Sequence, residues 1–175
     1  MPDLERILKL EDQSRRCGSG LKELRLRGDW RLTAVAARGG KSFDALSSAL
    51  LRSFGARLEI DAGSDDRGLS LANSIRLGAL VLRFVGNGKL VGKRPLLRFR
   101  FDRLQLWLGP WKSAEISLAQ PQQRKAPFFA LIASEQEQDP ATGQEQRWMA
   151  ARGRSGGIAV WYRMDAPRSH ASAND

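Results

Sequence analysis

Leu24, Leu26, Gly28, Trp30, Leu32, Ala34 and Ala36 alternate with Arg25, Arg27, Asp29, Arg31 and Thr33. A strict two-residue period over a dozen positions predicts one long strand with a dry face and a charged face. The same period returns in short pieces down the chain. Leu58 and Ile60 open one, Leu69, Leu71, Asn73, Ile75 and Leu77 form another, and Leu80, Leu82 and Phe84 restart on the other parity. Leu97, Phe99 and Phe101 alternate with Arg98, Arg100 and Asp102, and Leu104, Leu106 and Leu108 lead into Gly109-Pro110-Trp111. Ile116 with Leu118, then residues 127–133, 147–152 and 157–163, bring the set to about nine short strands spaced about 8–12 residues apart. Gly86-Asn87-Gly88 reads as a hairpin turn and residues 135–146 as a polar, acidic loop between strands. The fold class is all-β, an antiparallel barrel or sandwich.

Two stretches change period. Residues 2–16 predict a helix with Leu4, Ile7, Leu8 and Glu11 on one stripe and Asp3 and Glu5 at its positive end. Cys17-Gly18-Ser19-Gly20 stops it, with Cys17 read as a small filler at the helix end in preference to a reactive thiol. The second helix follows the first strand. Ser42 is its expected N-cap, Phe43, Leu46, Leu50, Leu51 and Phe54 its apolar stripe, and Gly55 its C′ residue. A chain of 175 residues has room for one domain. The expected division is a helix and linker over 1–20, a barrel over 21–165, and a small polar tail over 166–175 that does not order.

The side chains that usually carry catalysis are scarce. One cysteine excludes an intrachain disulfide and any multi-cysteine metal site. The one histidine, His170, stands in a Ser/Ala/Asn tail, which argues against a histidine triad or a zinc centre. Asp61, Asp65, Asp66 and the acids of 135–145 lie in turn-like sequence and read as solvated charges. The run Asp61–Asp66 lacks the distal bidentate Glu of a calcium loop. Arg152-Gly-Arg-Ser-Gly-Gly157 reads as a basic turn. No catalytic set, metal site or cofactor is expected, and the chain is not read as an enzyme. No run approaches 18 apolar residues, so no helix is expected to span a bilayer. The first residues carry neither a signal nor a transit pattern, so the protein is expected to stay where it is made and not to be secreted.

Lys plus Arg number 29 against 19 Asp plus Glu, a net charge of +10. Such an excess attracts polyanions. It is concentrated in Arg83, Lys89, Lys93, Arg94, Arg98, Arg100 and Arg103, with Asp102 the one acid between Arg83 and Arg103. Nucleic acid would want exposed aromatic rings beside these charges, and Phe99 and Phe101 take the opposite parity. Phosphate contact without stacking suits anionic lipid headgroups, at about 1 kcal/mol per basic residue near the surface. A merely solvated face is the plainer alternative. The aromatic side chains give a second lead. Leu26, Trp30, Leu32, Phe99, Phe101 and Trp148 are candidate walls of a barrel cavity for one apolar ligand, or else the filling of a solid core. Trp111, after Gly-Pro, reads as a rim anchor suited to a membrane interface.

Three segments together resemble the plastid lipid-associated protein family, the plastoglobule fibrillins and their cyanobacterial relatives. Leu26-Arg-Gly-Asp-Trp-Arg-Leu32 is similar to the family's opening strand. The central stretch with Asn73 follows, and Trp148-Met-Ala-Ala-Arg-Gly-Arg-Ser-Gly-Gly-Ile-Ala-Val160 resembles its closing segment. Arg152, Gly153 and Gly156 match that segment as turn-forming residues. The missing transit pattern suits a cyanobacterial-type member. The resemblance implies a lipocalin-like barrel without catalytic activity, associated with thylakoids or lipid bodies and with prenyl-lipids or carotenoids.

The expectation is therefore a barrel that binds an apolar lipid, isoprenoid or carotenoid, or that docks on an anionic photosynthetic membrane. Its location would be cytoplasmic or peripheral on the thylakoid. One rival is a bilin-handling, lipocalin-like lyase or chaperone for photosynthetic complexes. The other is an RNA-binding β-barrel, for which the pI near 10.8 is the one good argument.

Overall fold

The computed structural model describes residues 1–63, 68–119, 126–139 and 142–164. Three helices, α1 (Leu4–Cys17), α2 (Glu23–Leu26) and α3 (Ala45–Ser53), accompany nine strands among these residues. The strands are β1 (Gly28–Ala36), β2 (Arg57–Ala62), β3 (Leu69–Leu77), β4 (Leu80–Val91), β5 (Leu96–Leu108), β6 (Trp111–Ser117), β7 (Phe128–Gln138), β8 (Glu145–Gly153) and β9 (Ile158–Met164). They pair antiparallel in the order β4-β3-β2-β1-β9-β8-β7-β5-β6, and β4 also pairs with β5. Eight strands thus close a ring, the barrel expected from the alternation, and β6 hangs outside it. The expected tail, residues 64–67 of the expected turn and residues 140–141 of the expected loop lie outside the described residues.

Closure splits the alternating side chains into two sets. Inside the ring, Trp30, Leu58, Ile60, Leu69, Leu71, Leu97, Phe99, Leu131, Met149 and Trp161 form one buried cluster. On the outer wall, Ala34, Ala36, Ile132, Trp148, Ala150, Ile158 and Val160 form a second, covered by Leu4 and Ile7 of α1. Register shifts between Leu32 and Ala34, and between Leu131 and Ala133, mark where β1 and β7 bend as the wall curves.

Several details differ from expectation. The first strand begins at Gly28, because residues 23–26 make a single helical turn that leaves Leu24 74% exposed and drops Leu26 into the core. Asp44, not Ser42, caps α3: its carboxylate accepts hydrogen bonds from the Ser47 backbone N–H (3.1 Å) and from the Ser47 hydroxyl (2.6 Å). On the predicted α3 stripe Leu46 is 72% exposed, while the Leu50 and Leu51 side chains fall outside the described set. Cys17 ends α1 as expected but faces solvent, so it fills no space.

A further difference is Gly86-Asn87-Gly88, which is no hairpin turn. It lies inside β4 at a register shift against β5. A Cβ on Gly86 would stand 1.9 Å from the Arg100 carbonyl oxygen, so the bare backbone lets the two strands cross closely there. The chain reverses instead after Val91, and the two strands expected over 97–108 are one. Likewise β7 and β8 run into the expected loop at 135–146 from either side and take half of it.

Candidate functional site

The long hairpin carries the most unusual surface. Only Leu96–Arg98 of β5 pairs with β7, and the rest of the strand runs on with β4 and β6 as its neighbours. Beyond the ring, β3, β4, β5 and β6 therefore form a flared four-stranded sheet. Directly opposed antiparallel residues share a face. Three cross-strand rows follow: Asn73-Phe84-Leu104-Ile116, Ile75-Leu82-Leu106-Ala114 and Leu77-Leu80-Leu108-Trp111. All but Asn73 are apolar. None is buried: Leu77, Ile116, Leu108 and Trp111 are 43%, 49%, 54% and 75% exposed, and the others are half-buried.

This face is continuous with the barrel interior. The Phe84 ring lies 5.8 Å from Phe101, Phe101 lies 5.4 Å from Phe99, Phe99 lies 5.0 Å from Phe129, and Phe129 lies 5.3 Å from Trp161. The opposite face of the flare carries a polar row, Ser74-Arg83-Gln105-Glu115, beside the Val81–Trp107 pair. Arg83 donates to Gln105 (3.3 Å) and pairs with Glu59, and Gln105 donates to Glu115 (2.9 Å). Lys112 adds a further pair to Glu115, holding that carboxyl below the usual range, with Gln105 contributing.

Five of the six candidate cavity residues come together. Leu26 and Trp30 are fully buried, Phe99 is 8% exposed, and Leu32 and Phe101 pack partly buried against the same cluster. Trp30 Nε1 donates to the Leu26 carbonyl at 2.6 Å, which ties the α2 turn to the barrel floor. Trp148 is not with them. Its neighbours Met149 and Ala151 point into the barrel, so Trp148 takes the outer parity under α1, with the Arg6 guanidinium 5.6 Å from its ring centroid. Trp111 sits at the flare's tip, as a rim residue would.

The basic residues between Arg83 and Arg103 divide as well, Arg103 pairing with its neighbour Asp102. Arg83 belongs to the polar ladder of the flare. Lys89 lies opposite Arg98 in the β4–β5 register, with Arg100 two positions along on the same outer face. Among the described residues Lys89, Lys93, Arg98 and Arg100 make no ion pair, and all four are exposed. Arg94 is different: it turns to a carboxylate on α1.

That carboxylate, Glu11, is 2% exposed. It accepts from Arg152 Nε (2.7 Å) and Nη2, from Arg15 Nη2 (3.0 Å) and from Arg94 Nη2 (3.1 Å). Burial opposes its ionisation, but the hydrogen bonds and charges of Arg152 and Arg15 win and hold its pKa below the ordinary value. The arrangement locks the end of α1 to β8 and to the β4–β5 turn. Gly18 completes the contact, since its φ of 81° ends the helix and a Cβ there would stand 2.4 Å from the Lys93 carbonyl oxygen. Sequence patterning had placed Glu11 on the helix stripe and Arg152 in a turn. Their pairing across 141 positions left no local signal.

Among the described residues no group of His, Cys, Asp and Glu side chains could hold a metal ion, and no helix is long and apolar enough to cross a membrane. The chain has no match among protein-family models, curated proteins or solved structures.

Proposed function

We propose that this barrel is a non-enzymatic binder of an apolar lipid, isoprenoid or carotenoid, at photosynthetic membranes or lipid bodies, as the resemblance to the plastid lipid-associated family implies. One observation carries it: the flare holds three apolar rows that no part of the described chain buries, joined by a file of aromatic rings to the barrel core. An exposed patch of this kind marks a ligand or membrane contact. An elongated hydrocarbon would lie along the rows, with Trp111 at the wet end.

Purifying the protein from its source cells without detergent, followed by mass spectrometry of the organic extract, tests the proposal. About one prenyl-lipid or carotenoid per chain is expected. A clean extract, together with no saturable tryptophan quenching on titration with a carotenoid or prenylquinone, would overturn it.

The unpaired row of Lys89, Arg98 and Arg100 favours a second reading, docking on an anionic membrane surface. Binding to anionic liposomes should then fall steeply with salt. Salt-insensitive binding, or none at low ionic strength, would remove it.

A further inference from the structure

On the outer wall, where β5, β7 and β8 meet the end of α1, lies a cleft of about 600 Å³. Arg15, Arg38, Arg94, Arg152 and Arg154 line it, and Leu96, Phe128 and Ala130 supply an apolar floor. Ala130 opposes both Leu96 and Arg152 in register, so all three share the outer face and the cleft is separate from the barrel core. Five guanidiniums meet one carboxylate, since Glu11 is the one acid that pairs with any of them among the described residues. Four positive charges remain in one concave site.

We propose that this cleft binds a phosphorylated small molecule, its phosphate or diphosphate held by the arginines and its organic part laid on Phe128 and Leu96. Planar guanidinium forks match phosphate oxygens in geometry as well as charge. Their roles differ. Arg152 is held by both Glu11 oxygens and by the Gly156 carbonyl, so it positions the wall. Arg15 and Arg94 each give one Nη to Glu11, and Arg94 Nε is buried with no partner. Arg154 spends one Nη on the Ala126 carbonyl (3.1 Å), and Arg38 lies against Gly156, where a Cβ would meet its side chain at 2.8 Å. Arg38 and Arg154 pair with no carboxylate among the described residues, which leaves them to the ligand. The site stands whether or not the barrel carries an apolar ligand.

Calorimetric titration at low ionic strength tests it with two probes, inorganic pyrophosphate and dihexanoyl phosphatidic acid below its micellar concentration. The expected result is saturable one-site binding that weakens with salt and falls tenfold or more in the Arg38→Gln/Arg154→Gln variant. Neither substitution removes a hydrogen bond to Glu11, and the one bond lost, Arg154 to the Ala126 carbonyl, is exposed, so thermal unfolding should shift only slightly. A control, Arg98→Gln/Arg100→Gln, should bind as the parent does. Pyrophosphate binding as tightly as the phosphatidic acid assigns a free phosphorylated metabolite, and a clear preference for the acyl-bearing probe assigns a lipid headgroup. Failure of both probes to saturate, unchanged binding in the cleft variant, or an equal loss in the control would overturn the proposal.

Discussion

The closed ring and the flare are built from the same alternating pattern, yet they bury it to opposite extents. Trp30, Leu69, Leu71 and Leu97 are fully buried inside the ring, whereas Leu108 and Trp111 of the flare are more than half exposed. Each strand has a dry face in either region. The difference is the opposing wall: a closed barrel faces its own far side, and the sheet that outruns the ring faces no wall among the described residues. Apolar alternation therefore reports which residues could share a core. Where the ring stops, the surplus face stays uncovered among the described residues.

The sharpest way to break this contrast is Trp30→Ala, which should destabilise the protein by about 4 kcal/mol in a denaturant titration, as large core truncations do. A loss under about 1 kcal/mol would mean the ring is loosely packed and hollow. Gly86→Ala probes the crossing of β4 and β5, where the flare leaves the ring. With the Arg100 carbonyl in the way, backbone must move, and a cost of about 3 kcal/mol is expected from thermal unfolding. Glu11→Gln tests the outer latch and should cost about 2 kcal/mol, less than a fully buried pair because Arg15 and Arg94 stay partly solvated. Its pH signature is specific. Glu11 has a native pKa below its unfolded value near 4.5, so its contribution is complete above about pH 4.5 and is lost as pH falls through the native pKa. The stability difference between parent and Glu11→Gln should shrink on acidification over that range, and a constant difference would exclude the ionised latch. Smallest of all, Leu108→Ser in the flare should change stability by less than about 0.5 kcal/mol, because a site already 54% exposed loses little on truncation. A loss above about 2 kcal/mol would show that the flare is a covered core.

Much of the architecture was open to inspection in the chain. Period-two segments at 69–77, 97–101 and 157–163 became β3, part of β5 and β9, and residues 2–16 became α1. The failures share a cause. Gly86-Asn87-Gly88 has hairpin composition, but its glycines serve a close strand crossing that only the partner β5 defines. Leu24 and Leu26 fit the strand period, but two residues cannot tell a strand from one helical turn that plugs a barrel floor. Trp148 sits in an apolar run with no alternation to show its parity, so the wall it faced was open until β8 paired with β9.

Composition and period by themselves determined an all-β chain with a helix at its start, an excess of positive charge and no cysteine or histidine cluster for catalysis. These are local or summed properties, and they survive without coordinates. Tertiary structure alone decided that eight strands close and the ninth does not, and that five arginines from distant segments share one cleft. It also decided that Glu11 is a buried latch and not a point on a stripe. Such features depend on contacts between residues far apart in sequence, where electrostatics and steric closure act through space and leave no periodic trace along the chain.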